Sequence, residues 1–328
     1  VIFLTAAAWL ATGFAISAVM GGVLVRLLPR LQMNQTAYED APQTHQQKTG
    51  TPTMGGLCFV AAMVPLLLGV SPPGSTPRWP FVGALLFLVW ASAAIGLLDD
   101  YLGIRRGKNQ GLRASTKYLA TALIAIIFLR LIDASYSFFP RDVLFHASSY
   151  SLSVPHWLWL LLGILAITGT VHAVNLTDGL DGLATGTMIP PLAAFAAISL
   201  FGMGQQTPAY AALLGVGACF GFLLYNRHKA KLFMGDVGSL ALGALLSGVA
   251  ILTGEMLLLL LAGAVFVAEA LSVILQVGYF KATKGKRIFR MSPLHHHFEL
   301  GGLPETSVTP RFWLASAVCS ALALAIAR

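Results

Sequence analysis

Residues 80–98, PFVGALLFLVWASAAIGLL, run for nineteen positions without a charge and then meet two adjacent carboxylates, Asp99 and Asp100. Nineteen apolar residues in helical form reach nearly across a hydrocarbon core of about 30 Å. The same pattern recurs along the chain. Segments at roughly 2–27, 55–70, 80–98, 116–132, 156–174, 183–201, 208–225, 237–253, 256–280 and 311–327 read as ten spans. Only 10% of the 328 residues are charged and 56% are hydrophobic, with a mean hydropathy of +0.76. A soluble domain carries about 25% charged residues, so this composition excludes a water-facing surface. The expectation is an all-α, polytopic integral membrane protein of about ten transmembrane helices, forming one domain over residues 1–328. The sequence opens on Val1, so its natural N-terminus is expected to lie further upstream, and the first segment reads as a span, not a signal peptide. Cys58, Cys219 and Cys319 fall inside apolar runs and read as small core residues.

Charge placement gives an orientation. The loop after the first span and every second loop after it hold 17 of the 21 basic residues. Basic loops stay cytoplasmic, which places both termini outside and these loops inside. Nine of the 13 acidic residues lie on the same side. Acidic residues contribute little to topology, so the aspartates among them call for another explanation.

Four of these loops, and the approach to the second span, carry distinctive strings. In GLLDDYLG, 96–103, Asp99 and Asp100 sit at the membrane interface, where paired carboxylates offer a place for a cation; taken alone the string is equally a solvated helix end. In NLTDGLDGLA, 175–184, the spacing of three puts Asn175, Asp178 and Asp181 on one face of any helical turn, although Asp181 also suits an N-cap. In FMGDVGSLALGA, 233–244, Asp236 suits a helix start, and Phe233 beside basic residues suits stacking on a nucleobase. In SPLHHHFEL, 292–300, adjacent histidines diverge and no cysteine completes a zinc site; phosphate contact or proton shuttling fits as well. The basic run from Lys281 to Arg290 suits anionic lipid headgroups. KTGTPTMGG, 48–56, can present a lysine and backbone N–H groups to a phosphate, but in isolation reads as a plain turn. Oxygen donors without cysteine favour a hard cation such as Mg²⁺, which takes one or two carboxylates beside substrate phosphates. Together these features indicate phosphoryl chemistry at the cytoplasmic membrane surface.

These strings, in this order from about residue 45 to 311, resemble the polyprenyl-phosphate N-acetylhexosamine-1-phosphate transferase superfamily. PTMGG, NLTDGLDGLA, FMGDVGSLALG and PLHHHFEL resemble the branch that handles phospho-N-acetylmuramoyl-pentapeptide. The resemblance implies transfer of phospho-MurNAc-pentapeptide from UDP-MurNAc-pentapeptide to undecaprenyl phosphate, giving lipid I and UMP, in the first membrane step of peptidoglycan synthesis in the bacterial cytoplasmic (inner) membrane. It implies Asp236 as the principal Mg²⁺ ligand with Asp99 and Asp100 beside it, and a uridine and ribose pocket of Asn175, Asp178, Asp181, Asn226 and Phe233. It further implies phosphate or sugar contacts from Lys48, Thr53, Lys117 and His295, with His296 and His297 either structural or substrate-binding. A homodimer is implied, with membrane lipids as partners and no nucleic acid. Two mechanisms stay open: direct attack assisted by Asp99, and a covalent phospho-sugar intermediate on an Asp. The acceptor phosphate has a second pKa of about 6, which lessens the need for a base and favours direct attack.

Two other readings compete. A sibling transferase would use a UDP-N-acetylhexosamine lacking the pentapeptide. A transporter would gather polar residues near the bilayer midplane, yet only Glu269 lies mid-span, where it reads as an interhelical hydrogen-bonding residue near a bend of the long ninth segment. Gly217 and Gly221 form a GxxxG pattern, better suited here to internal packing than to a dimer face.

Overall fold

The computed structural model describes residues 2–33, 50–68, 79–106, 111–134, 143–147, 150–202 and 206–327. Its long helices are α1 (Ile2–Leu27), α3 (Trp79–Arg105), α4 (Ala114–Ala134), α5 (His156–Thr177), α6 (Leu183–Ala197), α7 (Gln206–Asn226), α8 (Gly235–Leu252), α10 (Ala264–Ala282) and α12 (Glu305–Ile326). Short helices α2 (Leu57–Ala62), α9 (Leu258–Ala262) and α11 (Leu294–Glu299) lie between them, and α6 continues into a wider turn at Ile198–Gly202. Among the described residues nine helices are long and apolar enough to cross a membrane.

The second expected span, 55–70, is not among these nine, and residues 69–70 lie outside the described residues. Its described part is α2 followed by a tighter 3₁₀ turn at Val64–Leu67. Pro65 has no N–H to continue an α-helical ladder. Gly55 and Gly56 donate to Phe233 and Met234 at the end where α8 begins, whereas Trp79 starts the helix that ends near Asp99. A second departure is a hairpin, Val143–Ala147 paired antiparallel with Tyr150–Ser153, between the spans expected at 116–132 and 156–174. The long ninth segment does break: α9 ends at Ala262, with Gly263 as its cap, and α10 starts at Ala264, five residues before Glu269.

The bundle is built around α8, in which every residue from Val237 to Leu252 is buried. A helix apolar on all sides belongs in the interior. Its small residues permit close neighbours: a methyl group on Gly243 would come within 2.6 Å of Val171 Cα on α5, and one on Gly248 within 2.6 Å of Leu85 Cδ1 on α3. Hydroxyls at this depth bond to their own helix, as Ser247 Oγ does to the Gly243 carbonyl at 2.8 Å, because lipid supplies no partner. The Gly217–Gly221 pair serves internal packing, with Gly217 against Leu10 and Phe14 and Gly221 against Phe14 and Ala18 of α1.

Helix α3 meets α8 where the polar residues begin. A methyl group on Gly96 would overlap the backbone of Asp236 and Val237. Gly96→Ala is therefore expected to destabilise by about 1–3 kcal/mol, seen as a lower thermal midpoint in detergent; an unchanged midpoint would remove this contact from the fold.

Candidate active site

Antiparallel helices alternate in direction, so the C-terminal turns of α3, α5 and α7 and the N-terminal turns of α4, α6 and α8 gather at one end of the bundle. The polar strings singled out from sequence lie there, and both ends of the described chain lie at the other. Helix α1 runs parallel to α7, with Gly13 beside Leu214 and Gly21 beside Tyr225. Helix α12 runs parallel to the start of α6, through Trp313 Nε1 to Gly182 O at 3.1 Å and Ser316 Oγ to Thr187 O at 2.8 Å.

Asp99, Asp100 and Asp236 each offer a carboxylate oxygen within 4.8 Å of the others. Asp99 and Asp100 do not end their helix, as the sequence implies; α3 runs on to Arg105 and carries them in its last turns. Lys117 on α4 reaches between the carboxylates, with Nζ 3.1 Å from Asp99 Oδ1 and paired to Asp236 Oδ2. Asn175 Nδ2 donates to Asp236 Oδ1 at 2.8 Å and to Ser239 Oγ at 2.9 Å. The Asp236 carboxylate is thus clamped from α4 and α5, although the residue sits in the first turn of α8 and not at its cap.

The two adjacent aspartates differ in task. Asp100 Oδ1 accepts the Asp236 N–H at 3.0 Å and its Oδ2 accepts the Val237 N–H at 3.2 Å. It caps α8 from a neighbouring helix, satisfying donors that a helix start leaves open. Asp99 Oδ1 accepts the Leu112 N–H at 2.8 Å, and Gly111 lies flat against the same carboxylate. Thr53 completes the wall: a side chain on Gly235, whose φ is +70°, would lie 2.8 Å from Thr53 Oγ1 and also overlap Asp100. Glycine is required there by both conformation and space.

The spacing argument for Asn175, Asp178 and Asp181 is corrected. Helix α5 stops at Thr177, and Asp178 leaves helical geometry with ψ 57°, so the three do not share a helical face. Asp181 does not cap α6 either; that position is Gly182, with no side-chain cap. Instead Asp181 is buried, and its Oδ2 accepts the Ala230 N–H at 3.0 Å. Its backbone N–H donates to Glu305 at the start of α12, and His228 Nδ1 lies 3.6 Å from Asp181 and 3.7 Å from Glu305. Asp181, His228 and Glu305 form a second group able to hold a cation by composition, but the hydrogen bonds to Asp181 already tie the 178–182 turn to α12 and to the loop after α7.

Asn226 is buried and its amide is used internally: Oδ1 accepts from Thr185 Oγ1 at 2.8 Å and Nδ2 donates to Leu232 O at 3.0 Å. It shapes the wall. Phe233 is half-buried, held by backbone bonds to Pro52 and Gly55 that bring the 50–56 loop to the start of α8. The three histidines separate. His295 is buried against Gly179, His296 Nδ1 lies 2.8 Å from Glu299 Oε2, and His297 Nδ1 accepts the Arg290 N–H at 3.1 Å. Lys48 lies outside the described residues.

Sequence reasoning did not find His228, Glu305, Thr185 or Trp313, all of which brace the site. None stands in a motif, and each acquires its position only when distant helices meet.

Residues 82–254 match the glycosyl transferase family 4 model. The chain is 46% identical to a phospho-N-acetylmuramoyl-pentapeptide-transferase of Heliobacterium modesticaldum, over 95% of each chain. It is 40% identical to the protein of the same name from Bacillus subtilis, over 96% of this chain and 95% of that one. A Desulforamulus reducens protein, again of the same name, is 41% identical over 96% and 94%.

Proposed function

The chain belongs to glycosyl transferase family 4 and, within it, to the phospho-N-acetylmuramoyl-pentapeptide transferases, and we propose that it transfers phospho-MurNAc-pentapeptide from UDP-MurNAc-pentapeptide to undecaprenyl phosphate, releasing UMP and leaving lipid I in the membrane. The observation that carries this is the trio Asp99, Asp100 and Asp236, drawn together at one end of an apolar bundle with Lys117 between two of them. Carboxylates packed beside a lysine, at the level where a lipid headgroup meets water, suit two anionic substrates.

The basic loops favour the cytoplasmic face for this end, with both termini outside, in the bacterial inner membrane. The α1–α7 glycine contact is used internally, so a homodimer would form through another face.

The donor set fits Mg²⁺. Asp236 and Asp99 would be its main ligands, with Asp100 as a third whose two oxygens already hold the start of α8. Bound there, Mg²⁺ would offset the diphosphate charge and that of the departing UMP. Lys117 supplies a fixed positive charge to the same phosphates. Asn175 keeps Asp236 from turning away. Thr53 faces the Gly235 turn and suits a phosphate oxygen. Asp178, Asp181 and Asn226 hold the turn and wall beside which the nucleoside would lie, with Phe233 stacking on uracil and His295 to His297 facing the sugar or phosphates. Lys48 would approach from the 48–56 loop.

In the favoured course an oxygen of undecaprenyl phosphate attacks the sugar-bearing phosphorus, the bond to the UMP phosphate breaks, and UMP leaves with that electron pair. Alignment of the two phosphates supplies much of the rate. The test is a solubilised assay with both substrates, with and without Mg²⁺; folded protein that makes no Mg²⁺-dependent lipid product defeats the proposal. Replacing the donor with a UDP-N-acetylhexosamine lacking the pentapeptide should give little product, whereas equal use would favour the sibling activity. Direct attack further predicts no exchange of labelled UMP into the donor without lipid acceptor. Clear exchange would instead establish a covalent intermediate.

A further inference from the structure

Glu269 on α10 and His295 on α11 form a sealed pair, 0% and 1% exposed. Glu269 Oε1 accepts the His295 backbone N–H at 3.2 Å and lies 3.1 Å from His295 Nδ1. A carboxylate has no proton to donate, so this contact is a hydrogen bond when the imidazole proton is on Nδ1. The opposite ring nitrogen, Nε2, is buried without a hydrogen-bond partner, as is Oε2 of Glu269. The Nε2 edge faces Gly179 in the turn that carries Asp178 and Asp181. A methyl group on Gly179 would overlap Nε2 and lie 2.9 Å from Cε1.

The neighbouring histidines are in other settings. His296, whose ring centre is 4.2 Å from that of His295, is directed to Glu299, and His297 accepts a backbone N–H on Nδ1, which leaves its own proton on Nε2. Of the three, His295 alone is clamped on Nδ1 by a fully buried carboxylate while its other nitrogen faces the 178–182 turn, buried and without a hydrogen-bond partner. Buried polar atoms are normally paired, so an orphaned nitrogen aimed at a functional turn points to a partner that arrives with a ligand.

We infer that Glu269 is a positioning residue for His295: it fixes the proton on Nδ1 and holds Nε2 as an acceptor for a hydroxyl or N–H of the nucleotide-sugar donor. This rests on the transferase reading above. It turns the mid-span carboxylate, which from sequence was only an interhelical hydrogen-bonding residue, into part of the working site. Outer partners of this kind fix the tautomer and the ring orientation together.

The test reads the tautomer first. In detergent-solubilised, ¹⁵N-histidine-labelled protein, long-range ¹H–¹⁵N spectra distinguish the two neutral tautomers, and His295→Gln identifies the signal. His295 should carry its proton on Nδ1; a proton on Nε2 overturns the inference. Glu269→Gln should lose the single tautomer and lower kcat/KM by about tenfold or more, and Glu269→Gln with His295→Gln should be no worse than His295→Gln alone. Unchanged kcat/KM, or losses that multiply in the double variant, would refute the pairing. Should Glu269→Gln lose its thermal transition, Glu269→Asp keeps the carboxylate and is expected to keep the tautomer; loss of the tautomer there also overturns the inference. The tautomer is read without turnover, so wild-type protein that shows it but forms no lipid product defeats the transferase reading and not this one.

Discussion

Asp236→Ala is expected to lower turnover by at least about 10²–10³-fold, the loss typical of removing one preorganised charged group from a polar site, while leaving the thermal transition in detergent near that of the wild type. The two expectations come from different atoms of one residue. The side chain carries the two polar contacts of the candidate site, from Asn175 Nδ2 and from Lys117. The backbone N–H carries the structural contact, donated to Asp100 Oδ1 at 3.0 Å. Truncation to alanine removes the first set and keeps the second. Asp100→Ala should behave differently, since it strips both acceptors from the start of α8 and ought to lower the thermal midpoint as well as activity. Turnover assays paired with thermal melts separate the two variants. Full activity in Asp236→Ala would remove that residue from the site.

The contrast shows what sequence could tell. Asp99, Asp100 and Asp236 stood out because charge is scarce in this chain and a carboxylate next to an apolar run has few ordinary explanations. Sequence could not show that Asp100 caps a helix lying 136 positions away. The membrane class and the long helices were legible from uncharged runs, since each must satisfy its own backbone in lipid. The broken segment around Pro65 and the hairpin at 143–153 were not, because neither leaves a long periodic trace.

The NLTDGLDGLA string shows the limit most clearly. A spacing of three predicts one face only while the helix lasts, and here it stops at Thr177. Asn175, still inside α5, turns to Asp236; Asp181, beyond the turn, joins His228 and Glu305. Those partners come from other loops, so no local pattern announces them. Residues bound to near neighbours were readable, and residues whose meaning comes from a distant helix were not. Lys117 lies between these cases: sequence grouped it with the other basic loops, and only the fold placed it between two carboxylates.

Lys117→Met is the variant that follows from that placement, and it is expected to lower kcat/KM by about 10²-fold or more. Its methylene stem retains much of the lysine's packing, so the loss would be that of the charge. Without Nζ, the oxygens of Asp99, Asp100 and Asp236 remain within 4.8 Å of one another with no counter-charge from α4. Like charges 4 Å apart repel by about 4 kcal/mol where the effective dielectric constant is about 20, and partial exposure lowers this. The trio should then depend more heavily on a bound cation. Because a ligand that binds only the folded state raises its stability, Mg²⁺ should raise the thermal midpoint of Lys117→Met by more than that of the wild type. Lys117→Arg should not restore full activity, since a planar guanidinium cannot occupy the point that one ammonium shares between Asp99 and Asp236. Equal Mg²⁺ shifts in Lys117→Met and wild type, together with undiminished turnover, would show that Lys117 only fills space between the carboxylates.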